Sequence, residues 1–119
     1  MAEDATMDEL QSALDKLSAL SQIIRLKTFR LLMAELPNGL AAGTISKTLG
    51  VAPNKLTAHL NILSASDLIS ARREGRNMIY SANTAAVSVL LNELVETCCH
   101  NNPDVCENLI LRKQTEDCC

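Results

Sequence analysis

The fold is indicated by residues 44–64, which read TISKTLGVAPNKLTAHLNILS. Two short helices are predicted here: Gly50 supplies the turn between them, and Pro53 takes the first position of the second helix, where its missing N–H costs nothing. Apolar residues recur on one side of that second helix: Leu56, Leu60 and Leu63. The segment therefore predicts a helix-turn-helix whose second helix docks on the domain by one side and leaves the other side free.

Upstream of this segment the sequence predicts two further helices. Thr6 and Glu9 form a capping box at the start of the first. That helix carries a narrow apolar stripe of the kind that packs on a partner helix: Met7, Leu10, Leu14 and Leu17. The second helix is predicted from a Ser21 cap to about Leu36, and Pro37-Asn38-Gly39 ends it. A wider face of this helix is expected to be buried: Leu26, Phe29, Leu32, Met33 and Leu36.

Downstream, a β-hairpin and a long helix are predicted. Residues 68–73 and 78–81 are expected to form short strands around Glu74-Gly75-Arg76-Asn77, where the glycine is free to adopt a positive φ. Between residues 84 and 99 apolar side chains recur at helical spacing, and Cys98 extends that stripe. This helix is predicted to be buried along one face.

The C-terminal part is expected to hold one short helix. Asn101-Asn102-Pro103 breaks the long helix, and Asn102 is a suitable N-cap with Pro103 at the first helical position. The short helix is predicted to run to about Lys113. One domain is thus expected over residues 1–113, with a flexible tail at 114–119.

Charge and composition restrict the class of function. The net charge of the 119 residues is −3, but residues 21–39 and 40–81 carry +2 and +3, while residues 1–20 and 82–119 each carry −4. A basic middle between acidic flanks favours a DNA-reading surface, with a solvated charge pattern as the alternative. The polar N-terminus is no signal peptide and no apolar run reaches membrane length, which predicts a cytoplasmic protein with no membrane partner. Thiols stay reduced in that compartment, so the five cysteines favour ligands, reactive groups or core residues over disulfides.

The order of elements predicts a mainly α fold with a small β-hairpin, a winged helix-turn-helix. Four polar residues of its recognition helix are expected to face the major groove: Asn54, Lys55, Thr57 and Asn61. His59 is assigned to the same interface, as a partly buried packing residue or a phosphate hydrogen-bond partner in preference to a catalytic or ligand residue. The hairpin adds three arginines, which suit a narrow minor groove, although a solvated charge cluster is the alternative: Arg72, Arg73 and Arg76.

Three segments carry a family resemblance. They are Leu20-Ser21 with Arg25-Leu26 and Phe29-Arg30-Leu31-Leu32, then residues 56–63 (LTAHLNIL), and Arg73-Glu74-Gly75-Arg76 with Tyr80. In this order, over roughly residues 15–106, the chain resembles the arsenical-resistance repressor (ArsR) family of metal-sensing regulators. Ile23 stands where family members often carry proline, which affects how the second helix starts. The resemblance implies a repressor that binds double-stranded operator DNA.

A dimer is expected because one recognition helix cannot cover a strong operator alone. The apolar stripes of the first helix and of the long helix after the hairpin offer faces for an isologous homodimer, which suits a palindromic site. An intramolecular core is the alternative use of both stripes.

Cys98, Cys99 and Cys106 form the second candidate site. Trivalent arsenic prefers soft thiolates and accepts up to three, and the resemblance implies such a site because some family members carry a Cys-Cys pair and a further Cys at the end of the last long helix. For Cys98, burial in the core is the alternative. Another arsenic site of the family is missing, since residues 40–66 contain no cysteine, and residues 87–95 lack the Asp and His ligands of zinc-sensing members. Cys118 and Cys119 are expected to have no essential role.

The sequence therefore predicts a transcriptional repressor that leaves its operator when arsenic(III), antimony(III) or a trivalent organoarsenical binds these cysteines. No Cys-x-x-Cys motif, paired acid and base or Gly-rich loop supports an enzyme. Two alternatives stay open: a thiol redox sensor or other soft-metal-sensing repressor, and an arsenic carrier that does not bind DNA.

Overall fold

The computed structural model describes residues 6–109. In chain order the elements are α1 (Met7–Leu20), α2 (Ile23–Ala34), β1 (Leu40–Ala41), α3 (Ala42–Leu49), α4 (Pro53–Ala65), β2 (Ile69–Glu74), β3 (Asn77–Ala82), α5 (Thr84–Asn92), a π-helical segment (Glu93–Cys98) and α6 (Pro103–Cys106). This order confirms the predicted winged helix-turn-helix. Within these residues no helix is both long enough and apolar enough to cross a membrane.

The first helix begins at the predicted capping box. The amide of Glu9 donates to Thr6 Oγ1 over 3.1 Å, and the amide of Thr6 donates to Glu9 Oε1 over 3.0 Å. The helix packs inward through small residues and a lysine stem: Ala13, Lys16 and Ala19. Its leucine stripe faces outward, with exposed fractions between 38% and 80%: Met7, Leu10, Leu14 and Leu17. That stripe is therefore not part of the core of one chain.

The second helix starts and ends differently from the prediction. Gln22, not Ser21, is its N-cap, because the Gln22 side chain accepts from the amide of Arg25 over 2.9 Å. The Ser21 hydroxyl instead donates to the carbonyl of Ser18, over 2.7 Å, at the end of α1. The helix ends at Ala34, two residues before the predicted Leu36. Only part of the expected face is buried, since Leu26 and Met33 are exposed.

The helix-turn-helix forms as predicted, with α3 starting two residues early. Gly50 lies in the left-handed region at φ +68°, and its amide donates to the carbonyl of Ser46. Pro53 begins α4. The three leucines of α4 are each at most 1% exposed, which confirms the predicted inner side of the recognition helix: Leu56, Leu60 and Leu63.

The wing is a three-stranded antiparallel sheet of order β1-β3-β2, in which the predicted hairpin forms β2 and β3. Strand β1, where Leu40 pairs with Tyr80 and Ala41 with Ile79, was not predicted from the sequence. The turn before β1 requires glycine. Gly39 has φ +79°, and a Cβ there would lie 2.5 Å from the carbonyl oxygen of Tyr80.

An aliphatic core joins the helices to the wing. Its buried members come from α1 to α4, the α4–β2 connection and both long strands: Ala19, Leu32, Ile45, Leu56, Leu60, Leu63, Leu68, Ile69 and Ala82. Phe29 and Tyr80, the only large aromatic residues of the chain, pack against its edge. Because α4 is held through its leucine side, its opposite side faces outward.

The predicted long helix changes its hydrogen-bonding pattern halfway. After α5 the chain continues as a π-helix, in which the amide of Cys99 donates to the carbonyl of Leu94, five residues back, over 2.9 Å. Leu90 is the last buried residue of α5, and Leu91 is 52% exposed. The wider turn that follows interrupts the 3.6-residue periodicity of the predicted stripe. Cys98, for which burial in the core was the alternative to a ligand role, is exposed.

The last described helix is shorter than predicted. The Asn102 side chain caps it by accepting from the amide of Asp104 over 2.8 Å, as expected. The helix ends at Cys106 and is followed by a turn, so it does not form a regular helix as far as residue 109. The predicted end at Lys113, and the predicted tail at 114–119 with Cys118 and Cys119, lie outside the described residues.

Candidate nucleic-acid interface and cysteine cluster

The outward side of α4 carries the four predicted groove-facing residues. All four are exposed: Asn54, Lys55, Thr57 and Asn61. Two of them have local partners, because Asn54 Oδ1 accepts from the amide of Lys55 over 2.9 Å and Thr57 Oγ1 donates to the carbonyl of Pro53 over 2.9 Å. Within residues 6–109 the Asn61 amide and the Lys55 ammonium form no hydrogen bond, which leaves both groups free to bind a base edge or a phosphate.

His59 differs from these four residues because it is half-buried and has a partner in α2. Its Nδ1 lies 3.2 Å from Nη1 of Arg25, and Nε of Arg25 donates to the carbonyl of Ala19 over 2.7 Å. Burial, followed by the positive charges of Arg25 and Lys55, lowers the pKa of His59 from its usual 6.5. The imidazole is therefore neutral at pH 7.

Arg25 was not among the functional residues predicted from the sequence. Its position in the second helix gave no reason to connect it with a histidine 34 residues later. Both residues do lie in segments that carry the family resemblance, Arg25 in the first and His59 in the second. That shared membership is the one feature of the sequence that could have drawn attention to Arg25.

The three arginines of the wing lie in different environments. Arg72 is held within the chain: Nε donates to Glu74 over 2.8 Å, Nη2 to the carbonyl of Asn38 over 2.9 Å, and Nη1 to Ser81 Oγ over 3.3 Å. Arg73 and Arg76 are exposed, and Arg76 follows Gly75 in the hairpin turn, where φ is +63°. Because β2 packs on α4, the wing and the recognition helix are held as one unit. Of the three wing arginines, Arg73 and Arg76 have guanidinium groups without a hydrogen bond or ion pair within residues 6–109, whereas Arg72 has three partners and a side chain that is 47% exposed.

The cysteines lie on both sides of a tight turn. Cys98 is exposed at the end of the π-helical segment, whereas Cys99, directly after it, and Cys106, at the end of α6, are half-buried. Between them His100 and Asn101 adopt positive φ values of 51° and 52°, and the amide of Asn102 donates to the carbonyl of Cys99 over 2.9 Å. In the part of the chain that the structure describes, no three His, Cys, Asp or Glu side chains are placed to hold one metal ion.

A small cleft of about 120 Å³ lies between α1 and α5. Both helices contribute to its lining: Glu9, Ser12, Ala13, Lys16, Val89, Leu90 and Glu93. Lys16 is only 6% exposed, and its ammonium donates to Ser12 Oγ over 2.8 Å. Val89, which lines the cleft from α5, is 59% exposed.

Sequence comparison finds similarity to a nodulation protein. The chain is 30% identical over 74 residues to the nodulation protein NolR of Rhizobium meliloti, a match that covers 62% of this chain. The match spans 61% of the length of NolR. No protein-family model matches the chain.

Solved structures of the same fold cover more of the chain. An ArsR-like transcriptional regulator from Rhodococcus sp. RHA1 superposes with a TM-score of 0.70 at 20% identity, over 86% of this chain and 93% of the other. The homodimeric winged helix-turn-helix DNA-binding domain Mb0332 of Mycobacterium bovis superposes with a TM-score of 0.60 at 26% identity, over 81% and 94%. The chain thus has the winged helix-turn-helix fold found in DNA-binding transcription regulators.

Proposed function

We propose that the chain is a transcriptional repressor of the ArsR type that binds a palindromic operator as a homodimer. The observation that carries this proposal is the recognition helix: α4 is docked by three fully buried leucines and presents exposed polar residues on its other side. Asn61 has the amide needed for a bidentate pair with adenine, and Lys55 suits phosphates. Arg76 at the tip of the wing extends the same basic surface.

The dimer uses the exposed apolar residues of α1 and α5. Met7 and Leu14 of α1 are 80% and 56% exposed, and Val89 and Leu91 of α5 are 59% and 52% exposed. Exposed large apolar side chains of this kind are typical of a protein–protein contact surface. An isologous contact through this surface buries it and pairs two recognition helices about a two-fold axis. The homodimeric state of Mb0332, a structure with the same fold, supports this arrangement.

The inducer of the proposed repressor is trivalent arsenic or a similarly soft thiophilic species, held by Cys98, Cys99 and Cys106. The donor chemistry suits it, because thiolates select soft centres. The three thiols are not gathered in the described structure, so binding requires α6 to move towards the end of the π-helical segment. The positive-φ turn at His100 and Asn101 is short enough to transmit that movement.

Release from DNA follows if this movement disfavours the DNA-bound dimer. The π-helical segment continues directly from α5, whose exposed residues belong to the proposed dimer surface. Pulling on Cys98 and Cys99 therefore acts on the angle between the two protomers. A 100-fold loss of operator affinity requires a coupling free energy of about 2.7 kcal/mol, which is within the usual range for allosteric proteins.

An electrophoretic mobility shift tests this proposal. The protein is incubated with a duplex from the promoter of its own gene, and the complex is titrated in parallel with arsenite, zinc and peroxide. We expect the protein to retard the duplex, and we expect arsenite to dissociate the complex at a lower concentration than zinc or peroxide. Release by peroxide alone would identify a thiol redox sensor, and release by zinc alone would contradict the arsenic site. Arsenite binding without any DNA complex would identify a carrier.

A further inference from the structure

Arg25 connects three parts of the molecule that must be aligned for DNA binding. Its amide is fixed by the Gln22 cap at the start of α2, its Nε donates to Ala19 at the end of α1, and its Nη1 reaches His59 in α4. Ala19 is 1% exposed and belongs to the core. The recognition helix is thus tied through one side chain to the junction of α1 and α2.

The protonation state of His59 follows from this geometry. A guanidinium group can only donate hydrogen bonds, so Nδ1 of His59 must accept, and the proton of the neutral ring lies on Nε2. Protonation of Nδ1 would remove the acceptor and place two cations 3.2 Å apart. The contact with Arg25 therefore exists only while His59 is neutral.

Among the groups of residues 6–109 that act on the ring, none is negatively charged. The charged groups that act on the imidazole are Arg25 from α2 and Lys55 from its own helix, both cationic. The other elements that pack on α4 are α1, α3 and β2, and in residues 6–109 none of their charged side chains contributes to lowering the pKa of His59.

We propose that Arg25 is a positioning residue that sets the orientation of the recognition helix through neutral His59, so that protonation of His59 weakens DNA binding. This inference rests on the proposed function, because it concerns affinity for DNA. The proposed pH dependence has the opposite sign to that of a histidine that contacts phosphate. A histidine that only contacted phosphate would bind DNA more tightly when it gained a positive charge, so the sign of the pH dependence separates the two roles.

The test is fluorescence anisotropy at constant ionic strength, with a labelled duplex from the chain's own promoter, at pH 7.5 and pH 5.5. We expect the affinity of the wild type to fall on acidification. At pH 5.5 the fall can reach at most about ten-fold per protomer, because the pKa of His59 in the free protein lies below 6.5 and this limits how far acidification protonates the ring.

Two substitutions of His59 provide a matched pair. In His59→Asn the amide oxygen takes the place of Nδ1 and accepts from Arg25 at every pH, whereas in His59→Gln the oxygen lies nearer the position of Nε2. We expect His59→Asn to bind more tightly than His59→Gln and to lose the pH dependence. His100, the only other histidine, gives the control: His100→Asn should keep the pH dependence of the wild type.

A DNA-independent measurement accompanies the binding data. NMR titration of the His59 ring should show a pKa that rises in Arg25→Gln, which keeps a polar side chain but removes the cation. No DNA binding at pH 7.5 would refute the proposed function and this inference with it. Binding at pH 7.5 that is unchanged or stronger at pH 5.5 would overturn the inference alone, as would an NMR pKa that does not respond to Arg25→Gln.

Discussion

Nε of Arg72 lies 2.8 Å from Oε2 of Glu74, two residues along the same strand of the wing. This pair, together with the contacts of Arg72 to Asn38 and Ser81, ties β2 to the turn before β1. Arg76, four residues from Arg72, lies exposed in the hairpin turn. The two arginines of the hairpin thus lie in different environments, and substituting each of them should affect different properties of the protein.

We predict that Arg76→Ala reduces the salt dependence of DNA binding. Each phosphate contact contributes about 0.9 to the slope of log affinity against log salt concentration, so the slope should decrease by about 1 for each protomer. Arg72→Ala is the matched comparison. It should leave most of the slope and lower the free energy of unfolding by about 1 kcal/mol, because three acceptors lose a donor at a partly exposed site. An unchanged slope in Arg76→Ala would remove Arg76 from the DNA contacts.

The proposed dimer predicts that Leu14→Glu yields a monomer. Leu14 is 56% exposed in one chain and lies in the apolar stripe of α1, so a carboxylate there costs little in the monomer but would be desolvated in the dimer. We expect the dimer dissociation constant to rise about ten-fold or more, measured by light scattering across a concentration series. Gln11→Glu adds the same charge to the same helix outside the stripe and should remain dimeric. If both variants dimerise equally well, the dimer surface lies elsewhere.

The cysteine site predicts different responses of two variants to two inducers. Arsenite uses up to three thiolates whereas a monomethyl arsenical uses two, so Cys106→Ser should lose most of the response to arsenite and keep more of the response to the methylated species. Cys99→Ser should lose both. The measurement is the inducer concentration that releases half of the DNA complex. A wild-type arsenite response in Cys106→Ser would exclude a three-thiol site.

Protein stability should depend on pH through His59. Its pKa is lowered in the folded chain from the usual 6.5, so below pH 6.5 the unfolded chain binds more protons than the folded one. The free energy of unfolding therefore falls as the pH falls below 6.5, and no such loss occurs above it. Urea unfolding at pH 7.5 and pH 5.5 should show a smaller difference in His59→Asn than in the wild type. Equal differences would mean that folding does not depend on the charge of His59.

Much of the fold could be predicted because side-chain spacing and cap chemistry act locally. The leucines at positions 56, 60 and 63 and the turn at Gly50 define the helix-turn-helix without reference to the rest of the chain. Strand β1 could not be found this way, because two residues carry no period and pair only when β3 lies beside them. Ser21 and Gln22 both offer cap side chains, and the choice depends on the end of α1.

The residue types of the candidate sites could be predicted from the sequence, but the spatial arrangement of their side chains could be predicted only in part. The exposed polar side of α4 follows from its buried side, and the structure agrees. The π-helical turn does not follow from the sequence pattern, and it turns Cys98 outward. The contacts of Arg25 and Arg72 are tertiary, over 34 residues in each case, so no local sequence pattern distinguished an arginine with intramolecular partners from one that is free to contact DNA.

The most direct test of the central claim is a DNase I footprint on the promoter of the chain's own gene. We expect a protected palindrome, whose protection disappears on addition of arsenite and is strongly reduced in Asn61→Ala, since a lost bidentate base contact costs about 1–3 kcal/mol. Circular dichroism should show that Asn61→Ala is folded, because Asn61 is exposed. The absence of any protected site, or protection that is the same in Asn61→Ala, would contradict the account.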